Sequence, residues 1–494
     1  MIRKKPLMKS SKKQEDTHRL LSGKITAVLT ESFVQKKHMI KINPLIPETK
    51  GAYIVGGSVR DLLIERTPSD YDIVVPGSPE KYASDLTSQI KGHIVKIGKQ
   101  NQMIFRVISE KDIFDVSAIS GNTIEDDLAK RDFTLNAICY DLYSKTTIDP
   151  FGGVKDLLSK KIRMVSDKVF NNDPVRLIRA YRIAAMLDFE IEYETEKVIA
   201  DNVKLIAKSA AERVKVEIFK IFSTLNSYKY INKMYETGLL FEIFPELSPL
   251  SGCLQNKYHT HDVLNHSLIA YNKLEMLLNG YHADSEISGF AKQEMDNTRS
   301  AMLKCSILLH DTGKPSSITV DNDNVHFFGH EKLSADITLR IAARLKFSNH
   351  ETKYIDYIIR NHMKALHLYE SFQKKPLTDK SIIRFFVKCR DNIPDLLLHA
   401  IADMEGKRNS DNVKNMDFLN FVSFLIKKYN LLYKIRKKEP PLINGNDLIS
   451  EFGLLPSPLF KKILNFVEEA RLSDNIHSRS EALLLAKGFL ENKA

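Results

Sequence analysis

Cysteine is scarce in this chain. Its four residues, Cys139, Cys253, Cys305 and Cys389, lie far apart and never in a CxxC spacing. That excludes a disulfide-stapled scaffold, a cysteine-held zinc ribbon and a dithiol redox pair, and it fits ordinary thiols in a reducing cytoplasm. Long apolar runs are missing as well: nowhere do 18 apolar residues follow one another, so no membrane span is expected. The opening MIRKKPLMKSSKKQED carries lysines with no apolar stretch behind them, so a secretory signal is not expected either. No internal repeat or low-complexity tract interrupts the pattern.

What is present is ordinary globular material, 43% hydrophobic and 27% charged over 494 residues, enough for three or four domains. The formal charge of +11 points to an anionic partner, although Arg3, Lys4, Lys5, Lys9, Lys12 and Lys13 supply part of it from a leader expected to be disordered. Histidine is distributed unevenly, ten of the fifteen falling between His259 and His367. Such clustering asks for a chemical explanation.

From residue 52 to 149, short β-branched runs at 53–55, 71–75, 94–97 and 103–108 alternate with helical stretches such as 79–89, the pattern of a small α/β unit. Beyond Pro150 the reading is helical, with apolar residues three and four apart over 173–187, 195–206 and 210–223. One exception is 317–328, where two β-like runs flank a polar stretch and predict a hairpin. Boundaries are expected near Gly152, near 248–252 and within the polar stretch 405–414.

The first chemical constellation begins with Gly56 and Gly57 between an apolar strand and the start of a helix, where backbone N–H groups can approach phosphate oxygens. Asp70 and Asp72 follow at i and i+2 of the next expected strand, so both carboxylates fall on one face of the sheet. Two adjacent carboxylates repel unless a cation lies between them, which suits Mg²⁺ and phosphoryl transfer to an incoming hydroxyl. With GGSVRD at 56–61 and DYD at 70–72, followed by KRDFTLNA at 130–137 and DPVRLIRAYR at 173–182, the chain resembles the bacterial class II tRNA nucleotidyltransferases and poly(A) polymerases.

This resemblance implies roles residue by residue. Asp70 and Asp72 would hold catalytic Mg²⁺, with Asp115 as a candidate third carboxylate or a simple strand-edge charge. Gly56, Gly57 and Arg60 would meet the nucleotide phosphates, and Arg131 and Asp132 the triphosphate and ribose. Asp173 and Arg176, expected on one helical face with Arg179 a turn further on, would read the base-pairing edge of CTP or ATP. Arg213 would serve in a supporting helical motif. Two departures stand out: Ser120 occupies a place where the family often has an arginine before a long flexible loop, and Asn172 precedes Asp173 where an acidic residue is common. The short connection leans toward CTP over ATP.

A second resemblance explains the histidines. His266, the pair His310 and Asp311 in LLHDTGKP, then His330, His362 and Asp403 follow the order of an HD-type metal-dependent phosphohydrolase domain. The implied core ligands are His266, His310, Asp311 and Asp403, with His330 and His362 available for a second ion or for phosphate. Imidazole and carboxylate donors suit Ni²⁺, Mn²⁺ or Zn²⁺, or Mg²⁺ more weakly. His282, His350 and His367 read as ordinary surface or core residues.

The expected fold is therefore α+β. A basic leader (1–30) precedes a nucleotidyltransferase-type α/β palm (31–152), followed by an all-helical neck (153–250), an HD domain (251–410) and a tail (411–494) that either holds tRNA or caps the HD domain. The expected function is addition of C and/or A to the 3′ end of tRNA by a cytoplasmic enzyme. The rivals are a poly(A) polymerase on RNA 3′ ends, an HD phosphohydrolase whose other half only binds RNA, and a non-enzymatic RNA chaperone. Oligomeric state is left open.

Overall fold

The computed structural model describes residues 40–98, 103–253, 261–321, 324–407 and 412–491; the basic leader lies outside them. It is mixed α+β, a β-sheet palm followed by helices, in agreement with the sequence-based expectation. The chain divides into two compact units at Ser209 and Ala210, so helices of the 153–250 segment fall on both sides of that boundary.

In the first unit, β1 (Tyr53–Val55), β2 (Tyr71–Val75), β3 (His93–Ile97), β4 (Ile104–Ile108), β5 (Ile113–Ala118), β6 (Cys139–Asp141) and β7 (Thr147–Ile148) form one sheet of order β3-β4-β5-β2-β1-β6-β7. Helices α1 (Gly57–Leu63), α2 (Pro79–Ile90) and α3 (Ile124–Ala129) connect them, and α4 (Arg176–Leu187) follows. Period-two alternation sorts the side chains. Ile54, Ile73, Phe105, Val107, Phe114 and Val116 enter one core with Tyr82, Ala83 and Leu86 of α2, while Val55 and Val74 enter another with Ile124 and Leu128 of α3.

Asp72 is two residues from Val74, and Asp115 and Arg106 lie between residues of the first core, so all three project from the α3 side of the sheet. Pairing register completes the arrangement: Val55 opposes Asp72, Asp72 opposes Asp115 in a parallel pair, and Asp115 opposes Arg106. One row across the sheet thus carries two carboxylates and a guanidinium.

The second unit is helical. Helices α5 (Val263–Leu278), α6 (Asn297–Leu309), α7 (His330–Arg344), α8 (Asn349–Asn361) and α9 (Ile393–Gly406) surround the histidines, and the expected hairpin is present as β8 (Ile318–Asp321) and β9 (Asn324–Phe327). From Ala301 to Leu309 every residue of α6 is buried, as in a helix enclosed on all sides. Helices α10 (Gly445–Phe452), α11 (Pro458–Leu472) and α12 (Arg479–Glu491) pack Leu448, Ile463, Val467, Ala482 and Ala486 into a separate core. No helix among the described residues is long and apolar enough to cross a membrane.

Candidate functional site

The carboxylates of the first unit are positioned by Ser58, a residue sequence reading passed over. Its hydroxyl donates to the Asp70 carbonyl at 3.1 Å and accepts from the Asp72 amide at 2.9 Å, tying the start of α1 to the start of β2. Asp70 lies just ahead of the strand, and its Oδ1 accepts from the Ser69 hydroxyl at 2.8 Å. Burial pushes the Asp72 carboxyl up to about 6, with the charges of Asp70 and Asp115 adding to it and those of Arg131 and Arg106 opposing it. Arg106 grips Asp115 through two hydrogen bonds of 2.7 Å each, a bidentate pair that long-range register alone creates.

Gly56 is required where it stands. Its φ is +72°, and a Cβ there would sit 2.6 Å from Arg131 Nη1 and 3.4 Å from Asp72 Oδ2. Arg131 itself is anchored by Asp127, one turn earlier, at 2.9 and 3.1 Å. Arg60 is buried, donating to Asp61 at 2.8 Å and to Asn136 at 2.9 Å. Asn136 in turn donates to Asp132, whose other oxygen lies 3.4 Å from Arg179. Burial alone would raise the Asp132 carboxyl, but Arg179 and the Asn136 amide hold it below the usual range.

Asp173 corrects one expectation. It is not on the helical face of Arg176 but precedes α4 in an extended conformation (φ −149°, ψ 96°), because Pro174 disfavours helical backbone in the residue before it. The two side chains still approach, with Arg176 Nε 4.0 Å from Asp173 Oδ2. Arg176 Nη2 donates to the Lys130 carbonyl at 2.9 Å, while its Nε and Nη1 find no hydrogen-bond partner among the described residues. Burial holds this guanidinium below its usual range.

The short connection from β5 to α3 is firmly tied. Asp127 accepts from the Ser120 amide, Lys130 reaches the Ser120 carbonyl at 2.6 Å, and Asp126 accepts from the amides of Asn122 and Thr123 in a capping box.

In the second unit six of the expected side chains converge. His266 Nε2 is 2.8 Å from Asp403 Oδ1, His310 Nε2 is 3.2 Å from Asp311 Oδ2, and His330 Nε2 is 3.4 Å from Asp311 Oδ1 and 3.2 Å from His362 Nε2. Two sets of donor atoms are close enough to hold an ion each, His266, His310 and Asp311, and Asp311, His330 and His362, so Asp311 belongs to both. Burial would lower His310, yet the charges of Asp311 and Asp403 outweigh it and raise the imidazole to about 9. His362 is held well below its usual value by burial and by His310 and His399.

His399, one turn before Asp403 on α9, was missed by sequence reading. Its ring packs 5.1 Å from His310 and 5.4 Å from His362, and neither of its nitrogens finds a hydrogen-bond partner among the described residues. The HxxxD spacing was the available signal. Two lysines were also missed: Lys314 Nζ lies 2.6 Å from Asp311 Oδ2 and Lys407 Nζ 3.2 Å from Asp403 Oδ2. His367, read as ordinary, lines the cavity beside the cluster.

Three family models match the chain in succession: the poly A polymerase head domain over residues 52–163, a "Probable RNA and SrmB- binding site of polymerase A" over 188–250, and tRNA nucleotidyltransferase domain 2 over 337–486. An A-adding tRNA nucleotidyltransferase of Deinococcus radiodurans is 29% identical over 458 residues, covering 91% of this chain and 98% of that enzyme. A CC-adding tRNA nucleotidyltransferase of Synechocystis is 28% identical over 443 residues, covering 88% and 93%. The Thermotoga maritima CCA-adding enzyme, solved with tRNA, shares the fold with a TM-score of 0.60 at 21% identity, over 92% of this chain and 98% of that one. By the head-domain match and the relatives of near full length, the chain is similar to nucleotidyltransferase enzymes, the bacterial tRNA nucleotidyltransferases, CCA-adding enzymes and poly(A) polymerases, and it shares the fold of the solved CCA-adding enzyme.

Proposed function

We propose that the protein adds C and/or A to the 3′ end of tRNA, taking CTP and/or ATP as donors. The observation that carries this reading is Arg176, a half-buried guanidinium whose Nε and Nη1 find no hydrogen-bond partner among the described residues, beside the Asp173 carboxylate. A carboxylate accepts from the exocyclic amino group that C and A share, and a guanidinium donates to the adjoining ring nitrogen or carbonyl. U and G put a carbonyl where the amino group would be, so the protein itself acts as template and rejects them.

The row formed by Asp72 and Asp115, with Asp70 beside it, fits a divalent cation, since the charges of Asp70 and Asp115 add to the proton affinity of buried Asp72 until something positive offsets them. Asp70 and Asp72 would hold Mg²⁺, which when bound neutralises triphosphate charge and lowers the barrier to attack by the tRNA 3′-hydroxyl. Arg131, over Gly56, and Arg60, beside Gly57, hold the triphosphate. Asp132, kept ionised by Arg179, accepts from a ribose hydroxyl. The tied residues 119–123 leave no long mobile loop between β5 and α3, and we read this as favouring CTP. Residues 411–494 hold the body of the tRNA, and the enzyme works in the cytoplasm.

The histidine cluster favours a second activity, that of an HD-type phosphohydrolase. His266, His310, Asp311 and Asp403 would hold one divalent ion such as Ni²⁺, Mn²⁺ or Mg²⁺, and His330 and His362 would share Asp311 with another. The donor set fits: the imidazole nitrogens of His266 and His310 and a carboxylate oxygen of Asp311 are buried and close enough together to hold one ion.

Incubation with tRNAs ending at the discriminator base, at C or at CC, each with one labelled nucleotide, tests the proposal. Limited addition of C, A or both is expected. Long A tracts on any RNA would instead indicate a poly(A) polymerase, and phosphatase activity without incorporation an HD enzyme alone.

A further inference from the structure

The guanidinium of Arg106 stands at the far end of the carboxylate row. Its Nε and Nη2 each donate to Asp115 at 2.7 Å, while its Nη1 meets no acceptor among the described residues. A two-pronged grip fixes the plane of a guanidinium, so the remaining N–H donors point in a set direction. The Arg106 side chain is 36% exposed although the carboxylate that holds it is 12% exposed. Val95, which opposes Arg106 on β3, is itself 41% exposed, so the sheet face is open at this end. A fixed, solvent-facing positive charge thus borders the carboxylates, and the nucleotide contacts described above leave it unused.

The nucleotide residues occupy the other side of Asp72. Gly56 meets Arg131, Asp132 meets Arg179, and Arg176 meets the Lys130 carbonyl, so these residues form one connected group. Val55, the residue before Gly56, opposes Asp72 from β1, whereas Asp115 and Arg106 lie on the β5 and β4 side. Displacement at phosphorus runs roughly in line, the attacking oxygen entering opposite the leaving pyrophosphate. A triphosphate held from the β1 side therefore receives its attacker over β5 and β4. The attacker is a 3′-hydroxyl, and the nearest anion that comes with it is the phosphate joining the last two nucleotides of the RNA.

Resting on the reading that the protein extends tRNA, we propose that Arg106 binds that phosphate through its free edge and so sets the 3′-hydroxyl against the carboxylate row. Asp115 is the positioning residue that keeps the guanidinium in place. Two arginines then flank the carboxylates with separate tasks: Arg131, anchored by Asp127, meets the triphosphate, and Arg106, anchored by Asp115, meets the RNA. A hydrogen bond between charged groups is worth enough to change affinity by about tenfold to a hundredfold.

Steady-state extension of tRNA carrying either a normal phosphate or an uncharged methylphosphonate at its last linkage tests the assignment. The wild type is expected to lose about tenfold or more in kcat/KM for tRNA when the charge is removed. Arg106→Ala should show a loss of that size with normal tRNA and no further loss with the methylphosphonate, its KM for CTP staying at the wild-type value. Arg106→Lys, which keeps the charge without the fork, should retain part of the methylphosphonate penalty. A purely structural role for the Arg106–Asp115 pair would instead leave the penalty intact in Arg106→Ala, and would overturn the proposal. So would a wild type indifferent to the methylphosphonate, whether or not the variants fold. A raised KM for CTP in Arg106→Ala, with the penalty unchanged, would place Arg106 on the triphosphate and overturn the RNA contact alone. No extension of any tRNA by the wild type would overturn the proposed function and this contact together.

Discussion

The two units hold their carboxylates in opposite ways. In the sheet unit, Asp72 and Asp115 lie in one row and are faced by arginines, Arg131 and Arg106, which cannot be deprotonated or act as ligands. In the helical unit, Asp311 and Asp403 each meet one lysine, Lys314 and Lys407, but are also faced by the imidazoles of His266, His310 and His330, a group that can give up a proton and bind metal. Arginine suits an anionic substrate that must come and go, while histidine suits an ion that stays. On the function proposed above, this difference matches nucleotide handling in the first unit and a resident ion in the second.

The sharpest way to break this division is through the sheet carboxylates. Asp70→Ala or Asp72→Ala should lower nucleotide incorporation by about a thousandfold or more, since several kcal/mol of transition-state stabilisation goes with the metal. Circular dichroism and tRNA binding should stay near wild type. A wild-type rate in either variant would remove these residues from the chemistry.

On the other side of the comparison, His310→Ala or Asp311→Ala should weaken metal binding to the second unit by at least about a hundredfold, measured by calorimetry or metal analysis, and should abolish any metal-stimulated phosphatase activity. Nucleotide addition should be spared. If a well-folded variant loses addition, the two sites are not independent.

Nucleotide choice is expected to respond next. Asp173→Ala should erode the preference for C or A over U or G by about a hundredfold, read as the ratio of kcat/KM values. Arg176→Ala should weaken every nucleotide alike.

A pH profile sharpens the contrast further. The Asp72 carboxyl, near 3.9 when unfolded, rises to about 6 in the fold. The folded protein therefore binds the extra proton, and the stability that proton provides is complete below about pH 4 and lost as the pH rises through 6. Metal binding needs the ionised form, so incorporation should fall as the pH drops through about 6, with excess Mg²⁺ moving the midpoint lower. The smallest effect is expected from Gly56→Ala, which forces φ +72° on a residue with a Cβ and displaces Arg131. It should cost about 1–2 kcal/mol of stability by denaturant titration.

Much of this was legible along the chain. The palm strands, the 317–328 hairpin and the motifs around Asp70, Asp72, Arg131 and Asp132 are local patterns, carried by alternation and by residues a few positions apart. Contacts made across the fold were not legible. The Arg106–Asp115 pair depends on the β4–β5 register and the Ser58 bridge on a turn twelve residues away. His399 escaped because a buried histidine on an apolar helix looks like core until its neighbours are known. Asp173 was placed on a helix because its apolar neighbours keep helical spacing, whereas Pro174 decides its backbone.

The most direct measurement is single-nucleotide extension of a tRNA ending at the discriminator base, carried out side by side on the wild type, Asp72→Asn and His310→Ala. Addition of C by the wild type and by His310→Ala, with none by the isosteric Asp72→Asn, is the predicted result. Extension by Asp72→Asn at the wild-type rate, or its loss in a folded His310→Ala protein, would contradict the division of labour between the two units.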